Sequence, residues 1–383
     1  MQKSTNRILT THTGSLPRPQ ALLDMIVGKY RGGQGDAAAF QQAVQAATSD
    51  VVQRQIDCGL DIINDGETSK ISYNTYVTER LNGFGGKGST KPGLDLIEHP
   101  EYGRRMFADE GMEIIKSIPA CDGPVSWKDR PAVDLDIQNF RQALEGREPT
   151  DCFMTSASPG VIALFMSNQY YPGERDYLYA LADVMREEYE AIANAGFVLQ
   201  LDCPDLACGR HTQFAGQTLA EFIKTVELHI EVINHAVRNI PADRVRMHLC
   251  WGNYGGPHNH DVPLRDIIGP VLQANVGAIS FEAANPRHEH EWSLFKEVSI
   301  PADKVLIPGV IDTTSNYIEH PELVAERIVR IAELVGPEKV IAGCDCGFAT
   351  FATSLEVVPS IAWAKLESLA EGARIASGRL FGK

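Results

Sequence analysis

The stretch RMHLCWGNYGGPHNHD, residues 246–261, carries three histidines and one cysteine. His248 and Cys250 are two apart, and side chains at that interval on a strand project from the same face. Glu282 ends the apolar run AISFE, while Cys344 and Cys346 close the run VIAGCDCG. Imidazole, thiolate and carboxylate gathered at one point are the donors of a tetrahedral zinc site, and their softness favours zinc over magnesium or calcium. Each residue alone has a plainer role, since a strand cysteine packs as a small hydrophobe and a strand histidine is commonly a hydrogen-bonded core residue. Their combination at strand ends is what points to a metal. Two thiolates and a carboxylate give zinc a net negative set of ligands, which keeps a bound substrate sulfur electron-rich. A water-activating hydrolase uses neutral histidines more often. The expected chemistry is attack by a zinc-held thiolate on an electrophilic carbon.

His258 and His260 form the HxH pair that opens the metal site of many barrel hydrolases. They follow GGP and precede DVPL, which places them in a loop, and the first apolar run offers only His12 in THT. PHNHD is therefore read as a loop that shapes a pocket. A metal-dependent barrel hydrolase is the competing function from another class.

Such side chains need a scaffold. Eight apolar runs end in small or polar residues: 8–15, 61–67, 152–160, 197–205, 245–250, 278–282, 305–312 and 340–347. Between them lie amphipathic segments such as DAAAFQQAVQAATSDVVQRQIDCG and PELVAERIVRIAELVG, with Asp or Pro at the start and Gly at the end, as helix caps require. Strand then helix, eight times over, predicts an α/β fold consisting of a single (β/α)8 TIM barrel across residues 1–383. Residues 68–150 interrupt the alternation with Gly-rich LNGFGGKGSTKPG, aromatic EYGRRMF and the strand-like PVSW, and are expected to form an insertion, a hairpin and lid, at the barrel mouth. In such a barrel the active site lies at the carboxyl ends of the strands. Those ends are polar here, with Ser15, Glu67, Ser156, Asp202, His248, Cys250, Glu282, Asp312 and Cys346.

Composition narrows the partners. Over 383 residues, 35 Lys and Arg against 50 Asp and Glu give a formal charge of −15, which repels phosphate backbones and anionic lipid. Neither nucleic acid nor membrane is expected. The N-terminal segment has no apolar signal core and no stretch nears the roughly 18 apolar residues of a membrane helix, so a cytoplasmic location is expected. Eight cysteines in so long a chain do not make a disulfide framework. A homo-oligomer remains open.

The pieces TTHTGSLP, DIINDGE, LQLDCPD, HLC, ISFE, GVID and DCG occur in an order that resembles the catalytic barrel of the cobalamin-independent methionine synthase family. That resemblance implies zinc ligands at His248, Cys250, Glu282 and Cys346, the DCG match choosing Cys346 and leaving Cys344 as a structural thiol. It also implies homocysteine-binding positions at Ser15, Glu67 and Asp202. Chemistry agrees, because an amino-acid substrate needs carboxylates for its ammonium and donors for its carboxylate. The implied reaction is zinc-dependent methylation of homocysteine to methionine, with a folate or corrinoid methyl donor.

Two departures stand out. The chain has room for only one barrel, where full-length members of the family carry two, and this short form also resembles the epoxyalkane:coenzyme M transferases. Addition of another thiol to an epoxide is therefore the near alternative. In GVIDTTSNY, Thr314 stands where the family has an acid histidine, and a threonine hydroxyl cannot protonate an amine leaving group near neutral pH. Either His12, His258 or His260 supplies that proton, or the methyl comes from a donor that needs none, such as a corrinoid, a sulfonium or an epoxide.

Overall fold

A computed structural model describes residues 1–33, 35–88, 91–106, 118–352 and 355–382. Its strands are β1 (Leu9–Thr10), β2 (Ile62–Ile63), β3 (Leu81–Lys87), β4 (Pro119–Trp127), β5 (Asp151–Ala157), β6 (Val198–Asp202), β7 (Val245–His248), β8 (Ala278–Phe281), β9 (Val305–Ile311) and β10 (Ile341–Cys344). Eight of them form one parallel sheet in the order β1-β10-β9-β8-β7-β6-β5-β2, and β3 and β4 pair separately as an antiparallel hairpin. Helices follow the barrel strands, and the architecture is a (β/α)8 barrel of the α/β class. Each of the eight apolar runs picked out from the sequence overlaps one of its strands.

The sheet order runs from β1 to β2, and side chains join these two short strands. Thr10 N and Oγ1 donate to Asp61 Oδ2 at 2.9 and 3.1 Å, Thr11 Oγ1 donates to the Ile62 carbonyl at 3.0 Å, and Leu16 N reaches the Gly66 carbonyl at 3.2 Å. Thr10 and Thr11 of TTHT are thus accounted for by their position at the seam.

Inside the barrel, Leu9, Ile62, Phe153, Val198, Ala278 and Ile341 pack together, each from a different strand. β7 contributes Arg246 instead. It is fully buried, lies 3.4 Å over the Phe153 ring, and donates to Gln200 Oε1 (2.7 Å), Thr11 Oγ1 (3.0 Å) and the His12 carbonyl (2.7 Å). A larger core lies between the strands and the helices outside them. Those helices begin and end where their caps dictate. Asp36 accepts from Ala38 N and Ala39 N at the start of Ala37–Asp57, and Thr218 and Glu221 form a capping box for Leu219–Ala236. Gly336, at φ 98°, closes Pro321–Val335.

Between β2 and β5 the chain makes the β3–β4 hairpin, the short helices Leu94–Glu98 and Pro100–Met106, and the helix Pro131–Ala143. That last helix stands in the outer ring, with Phe140 packed on Phe197, 4.8 Å between ring centroids. At the mouth the segment after β2 is tied to the one after β10 through Tyr73 N to the Thr350 carbonyl (3.3 Å) and Ala352 N to the Ile71 carbonyl (2.8 Å). Among the described residues no helix is long and apolar enough to cross a membrane.

Candidate metal centre and substrate cavity

Strand register decides which polar side chains meet. Asp202 of β6 is paired directly with His248 of β7, and His248 with Ser280 of β8. The ends of β6, β7 and β8 therefore present their polar residues at one level. Cys250 lies two residues past His248, on the same side, and Cys346 comes two residues after β10 ends. The ligand atoms of His248, Cys250 and Cys346 lie within 4.8 Å of one another, with the two sulfurs 3.3 Å apart.

Glu282 stands beside this group. Its Oε1 is 3.5 Å from Cys346 Sγ and accepts from Trp251 N at 2.7 Å, while Oε2 accepts from Asn285 Nδ2 at 2.8 Å. Asp345, between the two cysteines of CDCG, pins the segment after β8: its carboxylate accepts from the backbone N–H groups of Ala283, Ala284 and Asn285 at 2.8–2.9 Å. The acid of DCG thus locks the β8 and β10 ends together, a role that the motif alone does not reveal. Cys344 is buried away from the cavity and packs as a hydrophobe.

The protonation states suit a cation. Burial, aided by the positive charge of Arg246, lowers His248 to about 3, so its imidazole is neutral and free to donate a lone pair. Its Nδ1 is buried and has no hydrogen-bond partner among the described residues. Cys250 gains from its contact with Cys346, but burial and the charge of Glu282 outweigh that and push it up to about 11. Burial, then the neighbouring Cys250, raises Cys346 further. Two thiols that resist ionisation, packed against each other beside an unpartnered imidazole nitrogen, are poorly satisfied on their own. A soft divalent ion would reverse the balance by binding both as thiolates. The residues fit zinc.

A cavity of about 190 Å³ opens beside this cluster. Ser15, Glu67, Asp202, His248, Cys250 and Cys346 all line it, so six of the seven residues singled out as ligands or substrate contacts share one space. The acidic wall is built tightly. Glu67 has a left-handed backbone (φ 56°), accepts from Thr155 Oγ1 at 3.0 Å through Oε1, and leaves Oε2 buried without a partner. Gly14 makes room for it, because a Cβ there would lie 2.5 Å from Glu67 Oε1. Asp202 Oδ1 accepts from Gln200 Nε2 at 2.7 Å, and Gln200 is oriented in turn by Arg246. Burial, then the charge of Glu67, raises Asp202 well above the usual carboxylate range. Burial and the charge of Glu67 both oppose ionisation of Asp202, and a positive charge placed beside the two acids would favour it.

The proposed proton donors lie elsewhere. His12 is buried, with Nε2 2.8 Å from Oε1 of Gln55 on the helix Ala37–Asp57, and burial lowers it to about 3. His258 has both nitrogens engaged, by Asp261 (2.8 Å) and the Tyr254 carbonyl (2.9 Å). His260 is on the surface, 2.5 Å from Glu98 Oε2. None of the three lines the cavity. Thr314 donates to Asp312 Oδ1 at 2.8 Å. Sequence reasoning missed Tyr73, Phe165 and Phe351 in the wall, because Tyr73 and Phe351 sit in irregular segments and Phe165 ends the short helix Pro159–Phe165, where no period marks a cavity-facing ring.

A parallel barrel with its polar cavity at the carboxyl-end rim is the architecture of the barrel enzymes, and the His–Cys–Cys cluster at that rim could hold a metal ion. Residues 170–365 match the family described as cobalamin-independent synthase, catalytic domain, and the chain belongs to that family. It is 27% identical over 377 residues to the methionine synthase of Saccharolobus solfataricus, covering 96% of this chain and 94% of that one. It is also 26% identical over 368 residues to the methionine synthase of Sulfolobus acidocaldarius, covering 96% and 91%. In three dimensions it resembles a B12-independent methionine synthase from a Shewanella species, solved in complex with selenomethionine. The TM-score is 0.72 at 18% identity, covering 98% of this chain and 100% of that one.

Proposed function

We propose that the protein is a zinc-dependent methyltransferase that methylates the thiol of homocysteine to give methionine. The observation that carries this reading is the convergence of His248, Cys250 and Cys346 on the same cavity as Glu67 and Asp202. His248, Cys250 and Cys346 would hold the zinc, with Glu282 next in line as a fourth ligand. When bound, the metal supplies a substrate thiolate at neutral pH. Glu67 and Asp202 receive the substrate ammonium, and the Ser15 hydroxyl is a donor for its carboxylate. The names of the relatives point to the same reaction. We read residues 1–383 as one catalytic barrel in which the β3–β4 hairpin and its flanking helices form an insertion at the mouth.

Magnitudes indicate how the work divides. A thiol with a pKa of about 8.5 is a few per cent ionised at pH 7, so complete ionisation contributes about 30-fold, or roughly 2 kcal/mol. Alignment of donor carbon and sulfur by the cavity walls can contribute about 7–11 kcal/mol. Positioning is therefore the larger duty of this chain. An acceptor such as coenzyme M, with a sulfonate instead of an ammonium, fits the acidic wall poorly, and the described lining contains neither Lys nor Arg.

The test is to incubate zinc-loaded protein with homocysteine and a panel of methyl donors and to look for methionine by mass, alongside X-ray absorption at the zinc edge. Methionine formation and sulfur in the zinc coordination shell are expected. A shell of nitrogen and oxygen alone, with no thiol methylated by any donor, would overturn the proposal.

A further inference from the structure

Resting on the zinc reading of the site, we infer that Asn253 is a positioning residue for the metal centre. Its carboxamide holds the loop that carries Cys250 against the loop that carries Cys346. The need for such a tie follows from topology. Cys250 comes after β7 and Cys346 after β10, and β8 and β9 stand between those two strands in the sheet. Backbone pairing of neighbouring strands therefore does not fix the distance between the two sulfurs.

The loop after β7 has few constraints of its own. Gly252, Gly255 and Gly256 flank Asn253 and Tyr254, and Gly252 is at φ 124°, a conformation that suits glycine. Such a segment keeps one shape only if side chains fix it, and Asn253 does so with both ends of its amide. Nδ2 donates to the Gly347 carbonyl at 2.8 Å, one residue past Cys346, while Oδ1 accepts from Thr313 Oγ1 at 2.8 Å. A carbonyl can only accept, so Gly347 takes the amide nitrogen and the oxygen is left for the Thr313 hydroxyl.

Both anchors are held from behind. Thr313 is buried and follows Asp312, whose N–H donates to Glu319 Oε1 at 2.9 Å and whose carbonyl accepts from Lys365 Nζ at 3.0 Å. Lys365 is fully buried on the helix Pro359–Phe381 and pairs with Glu319 Oε2 at 2.8 Å. On the other side, the two residues after Gly347 are fixed to the segment after β1. Phe348 N donates to the Ser15 carbonyl at 2.9 Å and Ala349 N to Ser15 Oγ at 3.3 Å. The amide thus joins two fixed points, and its own backbone lies three residues from Cys250. Groups one step out from metal ligands commonly change metal affinity by about 10- to 100-fold when removed.

Two measurements on the full chain test this. Competition with a chelator gives the zinc dissociation constant. Cobalt(II) loaded in place of zinc gives sulfur-to-metal charge-transfer and ligand-field bands that report how the sulfurs are arranged. Asn253→Ala should raise the zinc dissociation constant about 10- to 100-fold and shift the cobalt bands, with helical content by circular dichroism unchanged. Thr313→Val keeps the shape but loses the hydroxyl, and should weaken zinc in the same direction, whereas Thr313→Ser keeps the hydroxyl and should bind zinc as the wild type does. That rescue and the cobalt bands separate positioning from a general loosening of the fold. Wild-type affinity and an unchanged cobalt spectrum in Asn253→Ala, or in Thr313→Val should Asn253→Ala not fold, would overturn the inference and leave the zinc reading standing. A wild-type protein whose cobalt form showed no sulfur band would remove the zinc reading, and the inference with it.

Discussion

Two histidine-containing groups lie close together at the carboxyl ends of β7 and β8, and they differ in what their nitrogens do. In the cavity, His248 Nδ1 is buried without a partner, beside two thiols that burial keeps protonated. Behind it, His258 bonds Asp261 and the Tyr254 carbonyl, while His288 bonds Asp261 (3.0 Å) and Glu291 (2.9 Å). The first leaves its histidine Nδ1 open, and the second engages both nitrogens of each histidine. Histidines with both nitrogens engaged hold a loop in place, whereas a histidine with an orphaned nitrogen facing soft donors waits for a ligand.

The largest effect should come from breaking the first group. Cys250→Ser removes one of the two sulfurs, and zinc measured by elemental analysis should fall from about one per chain to about zero, with methyl transfer lost alongside. A Cys250→Ser protein that kept full zinc would move the metal to the histidine group and erase the contrast.

The second group should respond in stability instead. Asp261→Asn leaves His258 and His288 buried without their shared counter-charge, a loss of about 3–5 kcal/mol measurable by denaturant unfolding, while zinc content stays unchanged. Burial opposes charge on His288, but Asp261 and Glu291 outweigh it and lift it to about 10 from an ordinary 6.5. A raised value means that the stabilisation is complete below pH 6.5 and drains away as pH climbs towards 10. The wild-type melting temperature should therefore decline over that window, and Asp261→Asn should decline less. Equal slopes would show that this pair contributes nothing.

Much of this was legible in the sequence. The strands were visible because each apolar run is broken at its carboxyl end by a residue the core would reject, such as Glu67, Asp202 or His248, and the barrel brings those ends to one rim. HxH was visible too, but its meaning was not. His258 has a left-handed backbone (φ 53°), and its ring stacks on Tyr254 and bonds Asp261, contacts that depend on the folded loop. Tyr73 and Phe351 come from segments far apart in the chain that meet only where the loops after β2 and β10 are tied together. No spacing rule predicts such a pair.

The acidic wall offers a finer test, since burial and repulsion from Glu67 oppose ionisation of Asp202. Asp202→Asn keeps an acceptor for Gln200 and removes that repulsion, so the substrate-free protein should melt at a slightly higher temperature. The KM for homocysteine should rise about 10-fold or more, as expected for the loss of a charge-assisted bond of roughly 1.5–3 kcal/mol. A homocysteine KM unchanged by Asp202→Asn would remove this wall from substrate recognition.

The smallest effect belongs to His260, the other half of HxH. Its ring is at the surface and its partner Glu98 is 52% exposed, so their contact is screened by water and salt. His260→Ala should change stability by less than about 0.5 kcal/mol and leave zinc content and turnover as they are. That near-silence is informative because a hydrolase built on the HxH pair would lose its metal with this one substitution. Elemental analysis of His260→Ala beside Cys250→Ser therefore separates a sulfur centre from a nitrogen centre, whichever substrate is used.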